Sequence, residues 1–125
     1  MRLPVLLFAL GAALAAAGPA HAQPRSVVVY CSHDADACEL AGRTFEKETG
    51  IRTSITRKPT GEYYAQLRAE RDNPRADVWY GGTIDPLLQA GAEGLLEAYR
   101  SPNLAQLAPW ARVATERSDH RVAAI

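Results

Sequence analysis

The sequence predicts an α/β domain built on a parallel sheet, and three observations carry that prediction. Short β-branched or aromatic runs alternate with stretches of helical period along residues 26–92. Each run stops at a turn that is followed by a helix-start signal. The first run, residues 26–31, is apolar on both faces, as expected of a strand covered on both sides. Strands that alternate with helices form parallel sheets with right-handed crossovers.

The first unit is a strand over Ser26–Cys31 and a helix that begins after Asp34 and runs to about Thr49. Asp34 is a favourable N-cap residue, and Gly50 is suited to the position just past the helix end. One stripe of this helix is predicted to face the core, with Leu40 beside it; it consists of Ala37, Ala41 and Phe45.

The second unit is a more exposed strand over Ile51–Arg57 and a helix from about Gly61 to Asp72, capped by Thr60. Glu62 then falls in the first helical turn, where an acid favours the helix dipole. The apolar face of this helix is predicted to be Tyr63, Tyr64 and Leu67.

The third unit is a short strand over Asp77–Tyr80, which ends at Gly81 and Gly82. Thr83 is predicted to cap a helix from about Ile84 to Ala92. In the strand, Trp79 is expected in the core, and Tyr80 nearer the mouth of the loops that follow.

The rest of the chain carries weaker signals. Pro102 and Pro109 predict an irregular stretch that lies along the surface, and His120 in a polar run is expected to be solvated. Arg121–Ile125 is predicted to start another strand.

Residues 1–22 have the pattern of a secretory signal peptide. Arg2 precedes an apolar segment, Leu3–Ala17, and Ala20-His21-Ala22 forms a small-residue cleavage site. An apolar run of about 15 residues is short of the roughly 20 that a membrane-spanning helix needs. We therefore expect export, cleavage after Ala22 and a mature chain of residues 23–125.

The charge composition of the chain bears on which class of partner it can bind. The formal net charge is zero at pH 7, and basic and acidic residues are interspersed without a basic stripe. This pattern argues against a nucleic-acid partner. The mature chain is long enough for one small domain with a modest core.

Cys31 and Cys38 lie seven positions apart. In an exported protein such a pair tends to be bridged, and the spacing fits neither a redox C-x-x-C nor a usual zinc pair. A bridge requires the turn to bring the two Cα atoms within about 7 Å. A disulfide, two buried free thiols and a redox-active pair all stay open at this stage.

The three turns are predicted to meet at one edge of the sheet, because ligands of parallel sheets bind at the carboxyl ends of the strands. Each turn carries a hydroxyl and stands at a helix N-terminus, where free amides favour an anion. Glycines let a ligand approach the backbone. The sequence therefore predicts a site for a small anion or a metal–anion pair, formed by Ser32, His33, Thr60, Gly61, Gly81, Gly82 and Thr83.

The motifs, taken in order, resemble the extracellular solute-binding proteins of bacterial ABC importers, in the branch of the ferric-iron-binding proteins. The matching segments span about residues 27–109; they are Val28–His33, Phe45–Ile51, Gly61–Glu62, Ala76–Gly82 and Glu93–Tyr99.

The resemblance implies a two-lobed trap that closes on its ligand, of which residues 23–125 are a partial N-terminal lobe with the second lobe missing. It implies a monomeric periplasmic binding component, not an enzyme, that passes a small solute to an inner-membrane permease. A separate ATPase would supply the energy, since the chain has no Walker motif.

The resemblance leaves the solute open between an organic or phosphorylated anion and ferric iron held with a synergistic anion; no other cofactor is implied. His33 lies where iron-binding relatives can present a histidine ligand, which makes it the candidate metal ligand. Gly82 stands where some of those relatives carry a carboxylate. Tyr63 and Tyr64 do not correspond to the paired metal-binding tyrosines, which belong to the second lobe.

Two alternatives to solute binding stay open. The chain could be a truncated product without transport function. It could also be a small exported thiol or hydrolytic enzyme, for which Cys31, Ser32 and His33 would be the candidate reactive groups.

Overall fold

The computed structural model describes residues 26–123, so the proposed signal segment and the last two residues lie outside the described part. The strands are β1 (Ser26–Cys31), β2 (Arg52–Arg57) and β3 (Val78–Tyr80). The helices are α1 (Ala35–Thr49), α2 (Thr60–Ala69), α3 (Ile84–Ala92) and α4 (Pro109–Arg117), with a 3₁₀ turn at Leu104–Gln106. The α/β fold with a parallel sheet is confirmed.

β1 lies at the centre of the sheet, whose strand order is β2–β1–β3 with both pairings parallel. The register aligns Cys31 with Arg57 on one side and with Tyr80 on the other. All three strands therefore end level with one another. The loops that follow them leave from the same edge, which is the arrangement that a ligand site requires.

Helices cover both faces of β1. Adjacent side chains in a strand point to opposite faces, so Tyr30 and Cys31 contact different helices. Tyr30 stacks on Tyr63 of α2, with ring centroids 4.5 Å apart and planes inclined by 11°. Cys31 is joined to Cys38 of α1 on the other face. Tyr63 is fully buried and its hydroxyl lies 2.8 Å from Thr56 Oγ1, so its expected packing role is confirmed.

The predicted core stripe of α1 is wrong by one residue, about 100° or just over a quarter of a turn. Leu40 is 63% exposed and Phe45 38% exposed, whereas Cys38 and Gly42 are buried. The disulfide fixes the rotation of the helix, because Cys38 must point at the sheet. Leu40 is two residues away, about 200° around the helix, and so faces outward. Gly42 then packs directly against Ile55 of β2.

The stretch around Pro109 is helical rather than irregular. α4 begins at Pro109, in the first turn, where the missing N–H of proline costs nothing and its fixed φ suits a helix. Ala111 and Thr115 are buried on its inner face. The proline is therefore a start signal for α4, and the prediction read it as a breaker.

The segment after α4 also differs from expectation. Residues 121–123 form no strand in the described part of the chain. His120 is half-buried rather than solvated, and its carbonyl accepts a hydrogen bond from the N–H of Tyr99 at 2.9 Å. Asp119 and His120 both have positive φ, 53° and 59°, which turns the chain back so that Val122 is buried.

Across residues 26–123, each helix is too short or too polar to cross a bilayer.

Candidate ligand-binding site

Three loops meet at the carboxyl edge of the sheet, as the topology predicts. The N–H of Ser32, after β1, donates to the carbonyl of Tyr80 at the end of β3 (2.9 Å). The N–H of Thr83, after β3, donates to Oγ1 of Thr60 at the start of α2 (3.2 Å). The loop after β3 therefore touches both of the others. The predicted residues Ser32, Thr60 and Thr83 are brought together.

The two glycines after β3 make this contact possible. A Cβ on Gly82 would lie 2.6 Å from Thr60 Oγ1 and 3.0 Å from Ser32 Cβ, and its φ is 105°. A Cβ on Gly81, at φ 76°, would lie 3.0 Å from the Cβ of His33. The sequence suggested that these glycines expose amides to a ligand. The structure adds a second reason, since the loops can approach one another only without side chains here.

Gly61 differs from the other two glycines. It lies in the first turn of α2, and a Cβ built on it meets nothing within 4 Å. Its place in the predicted site therefore depends on a ligand and not on packing.

The hydroxyls of Ser32 and Thr60 are both held as hydrogen-bond acceptors by N–H groups. Trp79 Nε1 donates to Ser32 Oγ (3.0 Å), and the Thr83 amide donates to Thr60 Oγ1. A hydroxyl that accepts from an N–H keeps its own proton for another partner. Both side chains can therefore donate to a ligand.

The structure corrects the expected roles of two of these residues. Thr60 was predicted to cap α2, but Pro59 holds the N-cap position and Thr60 is the first helical residue. Its hydroxyl is thereby free to reach the next loop. Trp79 was predicted in the core, but it is half-buried and its indole N–H points to the site.

His33 is exposed at the mouth of the loops. Its Nδ1 accepts from the Asp34 N–H (2.8 Å), which leaves the proton of the neutral ring on Nε2. The ring stacks on Tyr80 with centroids 6.3 Å apart. Asp34 occupies the predicted N-cap position of α1, but its side chain makes no capping hydrogen bond. Its own amide is satisfied by the ring of His33.

A metal at His33 would need ligands from outside this group. Residues 26–123 contain no set of three or more His, Cys, Asp or Glu side chains that could hold a metal ion. Hydroxyls, amides and one imidazole form the edge, and they favour an anion over a bare cation.

Cys31 and Cys38 form a disulfide, with Cα atoms 6.1 Å apart. Both residues are buried, and the bond between them excludes the alternative of two free thiols. Cys38 Sγ lies 3.6 Å from the carbonyl oxygen of His33. The bridged sulfur has no proton, so this is a contact and not a hydrogen bond. The disulfide lies directly beneath the turn that carries Ser32 and His33.

Arg57 is a residue of this edge that sequence reasoning missed. It ends β2, and its Nε donates to the carbonyl of His33 at 2.6 Å. Its guanidinium therefore places a positive charge beside the β1–α1 loop. The sequence feature that could have identified Arg57 is its position at the end of a predicted strand. In the structure it pairs with Cys31, directly before the β1–α1 loop.

The carboxylate of Glu93, at the C-terminal end of α3, ties that helix to α2 behind the site. Tyr64 donates to Glu93 Oε1 (2.6 Å), while Arg68 Nε and a terminal nitrogen of Arg71 lie 3.4 and 3.8 Å from Glu93 Oε2. The Tyr64 hydrogen bond, with the two guanidinium groups, lowers the pKa of Glu93 below its ordinary value. These contacts fix the two helices whose N-termini carry Thr60 and Thr83.

No family model matches the chain. It is 39% identical over 116 residues to an uncharacterised protein of Haemophilus influenzae, a match that covers 93% of this chain and 33% of that protein. Three solved structures are similar in fold. AfuA of Actinobacillus pleuropneumoniae, a periplasmic binding protein with exogenous fructose 6-phosphate bound, is 49% identical with a TM-score of 0.69. The periplasmic binding protein P5PA is 39% identical with a TM-score of 0.70. Iron-bound HitA of Pseudomonas aeruginosa is 26% identical with a TM-score of 0.66.

The matches cover most of this chain but a minor part of its relatives. They span 72%, 75% and 70% of this chain against 28%, 30% and 29% of AfuA, P5PA and HitA respectively. The chain thus spans about a third of the length of the proteins it matches. Its described residues match part of one lobe of these periplasmic binding proteins in fold. The predicted resemblance to the ferric-iron-binding-like branch of these proteins is confirmed.

Proposed function

We propose that the chain is the substrate-binding part of an ABC importer and that it captures a small anionic solute in the periplasm for an inner-membrane permease. The observation that carries the proposal is the meeting of three loops at the N-termini of α1, α2 and α3, where the hydroxyls of Ser32 and Thr60 each keep a proton to donate. Binding would involve no bond making. The working step would be closure of two lobes on the solute, a shift of population toward the closed form.

We favour a phosphorylated solute as the ligand class. Fully ionised phosphate oxygens only accept hydrogen bonds, and the edge offers them the hydroxyl protons of Ser32 and Thr60, whose oxygens already accept from Trp79 and Thr83. The N-termini of α1, α2 and α3 all begin at this edge, and each favours negative charge. The 49% identity to AfuA, whose structure holds fructose 6-phosphate, supports the same class.

Ferric iron is the second candidate. HitA, 26% identical, is iron-bound, and the exposed His33 ring stands at the mouth of the site. Iron(III) prefers oxygen ligands, and this edge of the described residues offers no carboxylate cluster. An iron site here would therefore depend on a bound anion and on ligands from a second lobe.

Binding by this chain alone is expected to be weak. A one-lobe site covers one face of a solute, and the chain has about a third of its relatives' length. We expect a Kd on the order of 1 mM, equivalent to roughly −4 kcal/mol.

The test is an NMR titration of the ¹⁵N-labelled chain with fructose 6-phosphate, inorganic phosphate and fructose. The two phosphates should shift the amide signals of residues 32–33, 60–61 and 82–83, and fructose should not. Ser32→Ala should weaken the response, whereas Ser101→Ala, a matched change in the segment between α3 and α4, should leave it unchanged. Paramagnetic broadening at His33 by ferric citrate, without a phosphate response, would favour iron. No response to any probe would favour the alternative of a non-functional fragment.

A further inference from the structure

Trp79 joins β3 to the ligand site through one hydrogen bond. Its Nε1–H donates to Ser32 Oγ at 3.0 Å, across 47 positions of sequence. An indole N–H can only donate, so it occupies a lone pair of the serine oxygen. The hydroxyl proton of Ser32 must then point away from the indole.

The second hydroxyl of the site is oriented in the same way. Thr60 Oγ1 accepts from the Thr83 amide. Both side chains also lie against the same glycine, since a Cβ on Gly82 would lie 3.0 Å from Ser32 Cβ and 2.6 Å from Thr60 Oγ1. Two hydroxyls, each accepting from a fixed N–H donor, therefore lie close together beside Gly82.

We propose that Trp79 is a positioning residue of this site: it holds the Ser32 hydroxyl as a donor, so that the site takes ligand groups that only accept hydrogen bonds. The inference rests on the proposed capture of an anion and names how the anion is selected. Without the indole N–H, the Ser32 hydroxyl is free to rotate and can offer either a proton or a lone pair. A fixed donor binds an oxyanion better because no orientation has to be lost on binding.

The test is a double-mutant cycle on the complete chain, with fructose 6-phosphate and inorganic phosphate as probes. Trp79→Phe and Ser32→Ala should each raise the Kd about three- to tenfold, the value of one hydrogen bond. The double variant should bind no more than about twofold more weakly than Ser32→Ala, because Trp79 acts through Ser32. Trp110→Phe is the matched control, since Trp110 is 62% exposed on α4, and should leave the Kd unchanged.

A purely structural Trp79 would give a different result. Its loss would weaken binding as much in the Ser32→Ala background as in the wild type, and the two effects would multiply. That outcome, or a Trp79→Phe variant that binds like the wild type, overturns the proposal. Urea unfolding of each variant shows whether a change in Kd follows a change in stability.

A second measurement needs no change at Trp79. In the wild-type chain the Trp79 indole N–H signal should move when phosphate is added, while that of Trp110 stays in place. In Ser32→Ala the Trp79 indole proton should exchange faster with solvent. Equal exchange in both proteins contradicts the hydrogen bond and overturns the inference, even if the wild type binds phosphate. A wild-type chain that binds no probe overturns the proposed function and the inference together.

Discussion

Loss of the Cys31–Cys38 disulfide should destabilise the domain by about 2 to 3 kcal/mol. The bridge closes a loop of seven sequence positions. In the chain-entropy account, the constraint that such a short loop places on the unfolded chain is worth about 2.4 kcal/mol at 25 °C. For a domain of 60–100 residues, each kcal/mol changes Tm by roughly 4–8 °C, so the melting point should fall by about 10–20 °C.

The assay is urea unfolding followed by circular dichroism, for the oxidised chain, the chain reduced with a phosphine, and Cys31→Ala/Cys38→Ala. The reduced chain and the double variant should unfold at lower urea than the oxidised chain. The reductant should not affect the double variant, which controls for its other effects. Both cysteines are buried, so the variant also loses a small packing contribution. Three indistinguishable midpoints would refute the bridge or its entropic role.

Two further perturbations probe the loops and the contacts behind them. Gly82→Ala should destabilise by about 1–3 kcal/mol in urea unfolding, because its φ of 105° is strained with a Cβ that would meet Thr60. Gly61→Ala is the matched control and should be neutral or slightly stabilising, since its Cβ meets open space in a helix. Glu93→Gln should remove part of the loss of stability in acid. The pKa of Glu93 is lowered below 4.5, first by the Tyr64 hydrogen bond, so its contribution is complete above pH 4.5 and is lost as pH falls through the folded value. Unfolding from pH 6 to pH 2 should show the gap between wild type and Glu93→Gln closing, and a constant gap would contradict the assignment.

The strands and the meeting of their loops could be predicted because both depend on local or topological rules. Residues 26–31 are so rich in valine that a buried strand is the natural reading, and β1 is indeed the central strand. Parallel strands that alternate with helices place their loops at one edge whatever the details of packing. Ser32, Thr60 and Thr83 follow from that rule alone.

The predictions that were wrong depend on specific contacts that the periodicity of the sequence does not show. The rotation of α1 is set by Cys38, whose partner precedes it by seven positions, and no periodicity in the helix reports that bond. The role of Thr60 depends on the amide of Thr83, and the role of Trp79 depends on Ser32. Side-chain hydrogen bonds across 23 or 47 positions leave no pattern along the sequence.

The chain as a whole carries no net charge, whereas the edge of the sheet that forms the candidate site is locally positive. The formal net charge is zero, so the chain has little long-range field to steer an anion toward it. At the edge of the sheet, however, three helix N-termini and Arg57 place partial and full positive charges around uncharged donors. Selection of an anion here would therefore act at hydrogen-bond distance. Its affinity should depend weakly on ionic strength, unlike that of a protein that binds through many exposed lysines and arginines. A site of this kind is specific for the shape and acceptor pattern of a small head group. Exclusion of water from the open side of the head group would then be the contribution of a second lobe.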